Sequence, residues 1–289
     1  MAFSEWAVMS RYSFKQVDVF SRHALKGNPL AVVLEADALS ESTMAAFAHW
    51  TNLSETTFVL KPRHPEADYR LRIFTTQYEL PFAGHPTLGS CHAWLESGGQ
   101  PKGEEIIQEC GIGLVRIRRQ GKQLAFTAPA LLRSEPVEAG LLERIRAGMG
   151  LVDGAILDAR WVDNGAGWLA LRLADRASVL ALKPDYAQLG GLAIGVFAPW
   201  DPLLDGEEAQ FEVRAFIPGD GMPEDPVTGS LNAGIAQWLL SARLAEDSYV
   251  VSQGTVLGRQ GRVYVQRLGD DIWIGGEVVT CIEGGVDLE

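Results

Sequence analysis

Phe82-Ala83-Gly84-His85-Pro86-Thr87-Leu88-Gly89 and Asp225-Pro226-Val227-Thr228-Gly229-Ser230-Leu231-Asn232 each open a helical stretch, through Trp94-Leu95 in the first case and Trp238-Leu239 in the second. The strands ahead of them match as well: Tyr69-Arg70-Leu71-Arg72-Ile73-Phe74 and Phe211-Glu212-Val213-Arg214-Ala215-Phe216. Arg72 and Arg214 lie 142 positions apart, Gly84 and Gly229 145, and Trp94 and Trp238 144, in a chain of 289 residues. A repeat at half the chain length reads as the duplication of a whole domain.

Both copies alternate charged and apolar residues over the strand, as a half-buried strand does. Leu88, Cys91 and Leu95 then fall at i, i+3 and i+7, while Leu231, Ile235, Trp238 and Leu239 fall at i, i+4, i+7 and i+8, so each helix carries one apolar stripe. Short strands are read over 13–20, 30–34, 57–60, 114–118, 123–127, 169–173, 250–252, 263–267 and 272–274. A helix follows Ser40 with Met44, Phe47 and Ala48 inward, and another covers 137–149. Mixed strands with one or two helices per half predict an α+β protein. The halves divide near Ala128-Pro129-Ala130: 12–128 and 129–289, with 1–11 as an extension and the last strand able to pack back on the first half.

The chain carries 25 Lys and Arg against 37 Asp and Glu, a formal net charge of −12, and its basic residues are scattered. A nucleic-acid surface needs them clustered. The longest apolar runs, 192–200 and 30–34, fall short of the roughly 18 to 20 residues of a spanning helix. The N-terminus lacks a basic and apolar leader pattern, and Cys91, Cys110 and Cys281 form no C-x-x-C pair, which predicts a cytoplasmic protein with free thiols. No G-x-G-x-x-G or P-loop is present, so no nucleotide cofactor is expected. His85, Cys91 and His92 do not have zinc-ligand spacing, so no metal is expected either.

The repeated loops carry the chemistry. The first N–H groups of a helix lack internal partners and sit at the positive end of its dipole. Gly84-His85 and Gly229-Ser230 are therefore two anion sites which, if they face one another, would clamp a carboxylate or stabilise an oxyanion; as plain helix caps they would do neither. Glu55 stands on the entry to an apolar strand, either as a solvated surface acid or, if turned into the cleft, as a general acid/base with a raised pKa. The repeat offset pairs it with Pro199, so it has no acidic twin. His85 and Asp225 flank the paired helix ends, as catalytic groups or as a cap and an Asp-Pro turn. A triad of Ser230, His85 and Asp225 lacks the nucleophile elbow.

The blocks Gly27-Asn28-Pro29-Leu30-Ala31-Val32-Val33, Asn52-Leu53-Ser54-Glu55-Thr56, Phe82 to Gly89 and Glu224-Asp225-Pro226-Val227-Thr228-Gly229-Ser230 together resemble the phenazine-biosynthesis PhzF-like family, in its order and over nearly the whole chain. The resemblance implies a diaminopimelate-epimerase-like fold: two similar halves, each a mostly antiparallel sheet or barrel around a central helix, with the active site between them. It implies a cofactor-independent isomerase in which Glu55 takes a proton from one carbon of a small carboxylate and returns it to another. His85 and Asp225 would position and polarise the substrate, with Gly84, Gly229 and Ser230 binding it, and a homodimer is suggested. Related racemases place one thiol in each loop, where this chain has His85 and Ser230. The late loop Gly258-Arg259-Gln260-Gly261 lacks the proline common in the family. The alternatives are a two-base racemase or epimerase of amino or hydroxy acids, with Asp225 as second base, and a non-catalytic carboxylate-binding protein.

Overall fold

A computed structural model describes residues 10–217 and 223–289. Residues 1–9 of the expected extension lie outside this range, and its last two, Ser10 and Arg11, already belong to the first strand, Ser10–Val19.

The sheet repeats one order twice. Strands Ser10–Val19, Asn28–Val33, Thr56–Leu60, Tyr69–Phe74, Ile106–Cys110, Gly113–Gln120 and Gln123–Thr127 run side by side in the first half. Asp158–Trp161, Trp168–Arg172, Ala193–Pro199, Phe211–Phe216, Ser248–Gln253, Gly261–Leu268 and the start of Asp271–Leu288 repeat that order in the second. Parallel pairs fall at the same two places in each copy, between the second and third strands and between the fourth and fifth. Parallel neighbours need a crossover, and helices supply it: Glu41–Thr51 and Gly84–Glu96 in the first copy, Arg176–Ala181 with Tyr186–Leu189 and then Gly229–Ser241 in the second. The other pairings are antiparallel, and the architecture is α+β of the diaminopimelate-epimerase-like kind.

The strand expected only over 272–274 runs 18 residues, Asp271–Leu288. It pairs with Gly261–Leu268, then Gln123–Thr127, and finally Ser10–Val19, which closes eight strands into a barrel around the helix Gly84–Glu96. Glycine pairs suggest breaks in a strand, but here close packing requires them: a methyl on Gly275 would lie 3.0 Å from Ala125 Cβ, and one on Gly276 2.4 Å from Phe20 Cδ1. The helix expected over 137–149 spans Ala139–Gly148.

Both central helices are buried along most of their length. Leu88 and Cys91 pack inside the first barrel with Phe126 and Ile117, as Leu231, Ile235 and Leu239 pack in the second half. Cys91 is fully buried in this apolar interior, which pushes its thiol up to about 12 and leaves it inert.

Candidate active site

The strand registers identify the true twin of Glu55. Thr56 pairs with Phe74 and Ile194 with Phe216, and Phe74 and Phe216 are themselves equivalent. Glu55 therefore corresponds to Ala193, not to Pro199, which ends the strand opposite Phe211. The constant offset fails because the hairpin joining the third and fourth strands is four residues longer in the second copy: Thr56 and Phe74 are 18 residues apart and Ile194 and Phe216 are 22, while the helical crossovers ahead of them are equal, with Ala31 and Thr56, like Leu169 and Ile194, 25 apart. The second half still presents no acid at the equivalent place.

Local structure aims Glu55. Ser40 caps the helix Glu41–Thr51 by accepting from the Thr43 N–H, and Asn52 ends it in the left-handed conformation (φ 56°), which Asn tolerates well. Leu53 and Ser54 then lead directly into Thr56–Leu60, whose first residues are held by hydroxyl contacts from Thr56 to Thr51 and from Thr57 to the Ala31 carbonyl. Glu55 sits at this entry with 15% of its side chain exposed, and its Oε2 lies 3.4 Å from His85 Nε2, long for a hydrogen bond.

The two central helices begin in contact. Their N-cap residues, Ala83 and Thr228, provide no side-chain cap, so the leading N–H groups are left to solvent or a ligand. A methyl built on Gly84 would lie 2.8 Å from Gly229 Cα, and one on Gly229 would lie 2.9 Å from Gly84 Cα. Only glycine at both positions lets the ends meet, which brings both dipoles to bear on one point.

Around this point lies a cavity of about 600 Å³, the size of a small-molecule site. It is lined by Glu55, Gly84 and His85 and by Asp225, Gly229 and Ser230, so all six expected residues converge. Its apolar walls include Leu53, Phe82, Trp168 and Ile217, and no Lys or Arg is among its described lining residues. Negative charge on a ligand here would be met by the helix ends. Ser230 Oγ accepts from Trp168 Nε1 at 3.0 Å, so the hydroxyl proton is left to point elsewhere.

Asp225 is buried, and burial raises its carboxyl to about 6 against the hydrogen bonds that Thr228 Oγ1 and Asn28 Nδ2 donate to it. Burial lowers His85 to about 3, so the imidazole is neutral. The Gln253 side chain clamps the loop between Asp225 and the helix: its Nε2 donates to the Asp225 carbonyl and Thr228 Oγ1, and its Oε1 accepts from the Thr228 N–H. Sequence reasoning missed Asn28, Gln253 and Trp168 as site residues. Asn28 had a signal in the block Gly27-Asn28-Pro29; Gln253 and Trp168 had none. Among the described residues no group of three or more His, Cys, Asp or Glu could hold a metal, and no helix is long and apolar enough to cross a membrane.

Comparison with known proteins places this architecture. The family model described as phenazine biosynthesis-like protein matches residues 17–284. Antisense-enhancing sequence 1 of Schizosaccharomyces pombe is 37% identical over 96% of this chain and 99% of its own. The trans-2,3-dihydro-3-hydroxyanthranilate isomerase of Pseudomonas aeruginosa is 32% identical over 92% of each chain. The crystal structure of a PhzF-family phenazine biosynthesis protein from Enterococcus faecalis superposes with a TM-score of 0.79 at 26% identity, covering 96% of this chain and 99% of the other. Several relatives are named isomerases. With the fold, the duplicated helix ends and these relatives in agreement, the chain belongs to the phenazine biosynthesis-like (PhzC-PhzF) family and is an enzyme of the isomerase class.

Proposed function

We propose that the protein moves a proton between two carbons of a small carboxylate, with Glu55 as the shuttling acid/base, in a cleft between halves 12–128 and 129–289. The observation that carries this reading is the approach of Glu55 to His85 beside the meeting point of two helix N-termini, in a cavity of about 600 Å³. The carboxylate of Glu55 takes a proton from one carbon, electron density moves through the substrate toward groups held by the helix N–H dipoles, and the same carboxyl returns the proton to another carbon on the same face. No oxidant or second substrate enters the balance. His85 and Asp225 orient the substrate, and Gly84, Gly229 and Ser230 bind its anionic end.

A two-base racemase needs a second base on the opposite face, and the residue equivalent to Glu55 there is Ala193, whose methyl cannot move a proton. Asp225, the other candidate, already accepts hydrogen bonds from Asn28 and Thr228.

The test follows trans-2,3-dihydro-3-hydroxyanthranilate, the substrate in the name of one relative, by proton NMR in D₂O. Conversion by the native protein that disappears in Glu55→Gln supports the role of Glu55. Full activity in Glu55→Gln would sink it. No conversion by either removes this substrate and moves the assay to other small cyclic carboxylates.

A further inference from the structure

Asn28 is fully buried at the first position of the strand Asn28–Val33, and its side chain reaches both groups that flank the helix ends. Its Nδ2 lies 2.9 Å from Asp225 Oδ1, 2.9 Å from the Val227 carbonyl oxygen and 3.3 Å from His85 Nδ1. The turn before it is built to hold it there. Asp18 Oδ2 accepts from the N–H groups of Lys26 and Gly27, and a methyl on Gly27 would sit 2.1 Å from the Val19 carbonyl oxygen.

These contacts settle which way round the amide stands. A backbone carbonyl is only an acceptor, so the atom of Asn28 facing Val227 must be the NH₂ nitrogen; the reverse orientation would set oxygen against oxygen. His85 Nδ1 therefore faces a group that can only donate. A proton on Nδ1 would point into the amide hydrogens, so Nδ1 is the bare nitrogen and the ring proton sits on Nε2, the atom 3.4 Å from Glu55 Oε2. We infer that Asn28 is a positioning residue that fixes His85 as a neutral imidazole protonated on Nε2, a donor toward Glu55 and the cavity. His85 then cannot accept a proton at Nε2, and a second proton on Nδ1 is opposed by the same amide. The acidic groups around the ring are Glu55 on the strand entry and Asp225 on the short strand Glu224–Asp225; the amide stands between the ring and Asp225.

The catalytic meaning of this assignment rests on the proposed proton transfer through Glu55, whereas the assignment itself needs no substrate to test. Long-range ¹H–¹⁵N correlation spectra of the uniformly labelled full chain report which imidazole nitrogen carries the proton. The His85 signals are assigned by their loss in His85→Gln. The expected result at pH 7 is a protonated Nε2 and a bare Nδ1. In Asn28→Ala the two ¹⁵N shifts should move toward each other as the preference is lost, while His92, remote in the barrel, keeps its own. A His85 protonated on Nδ1 in the native protein would overturn the inference, even if Asn28→Ala does not fold. Unchanged His85 shifts in a folded Asn28→Ala would do the same. Inactivity of the native protein on every carboxylate would count against the proposed reaction while leaving the tautomer reading intact.

Discussion

Gly84 and Gly229 are in backbone contact, each at the first position of its helix, so that neither can carry a methyl without pushing the other away. Gly84→Ala is additionally blocked by Phe126 Cζ at 2.8 Å. Either alanine variant should lose about 1–3 kcal/mol of stability, the usual cost of overpacking. Isomerisation should fall more steeply than stability, because the N–H groups proposed to hold the substrate move apart. Urea denaturation and turnover, measured on both variants, check this; native activity in Gly229→Ala would show that the contact is not needed.

His85 and Asp225 titrate in opposite senses, which makes their effects on stability separable. The folded His85 pKa of about 3 lies below the ordinary 6.5, so its contribution is present above pH 6.5 and is lost as pH falls toward 3. Replacing it with Gln should reduce the loss of stability between pH 7 and pH 5 by about 2 kcal/mol. The folded Asp225 pKa of about 6 lies above the ordinary 3.8, so its contribution is full below 3.8 and is lost as pH rises through 6. Asp225→Asn should therefore gain on the native protein between pH 4 and pH 7 by up to about 3 kcal/mol. Denaturation midpoints of the three proteins across pH 4 to 8 give both slopes, and parallel curves would count against them.

The duplicated Arg-Glu pair has diverged in burial. Arg72 grips Glu79 through Nε at 2.7 Å and Nη2 at 2.5 Å, with 38% of the Glu79 side chain exposed. Arg214 grips Glu224 with the same fork at 2.9 and 2.8 Å, but those side chains are only 4% and 7% exposed, and Arg214 Nη1 also donates to the Val179 and Leu182 carbonyls. Glu224→Gln should cost about 3–5 kcal/mol, since it leaves a buried guanidinium without its counter-charge. Glu79→Gln should cost about 1 kcal/mol or less. Equal losses in thermal unfolding would mean that burial does not separate the two copies.

How much could be read from the sequence depended on how local the determinant was. The paired loops were visible because Gly-His-Pro and Gly-Ser at helix starts mark themselves within a few residues, and the helix after Ser40 because its cap and its inward residues Met44, Phe47 and Ala48 are contiguous. The family blocks carried the fold beyond that. The twin of Glu55 was misplaced because a fixed offset ignores the unequal hairpins between the third and fourth strands, and only strand register names Ala193. Asn28 escaped notice because its meaning lies 57 residues away at His85 and 197 away at Asp225. The strand read over 272–274 was too short because what carries it on past Gly275 and Gly276 is their packing against Ala125 and Phe20, which lie far away in sequence.

Strand Asp271–Leu288 ties the order of synthesis to the order of folding. The antiparallel neighbour of Ser10–Val19, over 278–288, is translated more than 250 residues after it. Until then the first barrel has an open side, with the backbone groups of Ser10–Val19 on that edge unpaired and available to any passing strand. Where the first part of a chain folds while the rest is still being made, this one would do so one barrel strand short. A ribosome stalled before 278 therefore holds a chain whose first barrel still lacks the strand that closes it.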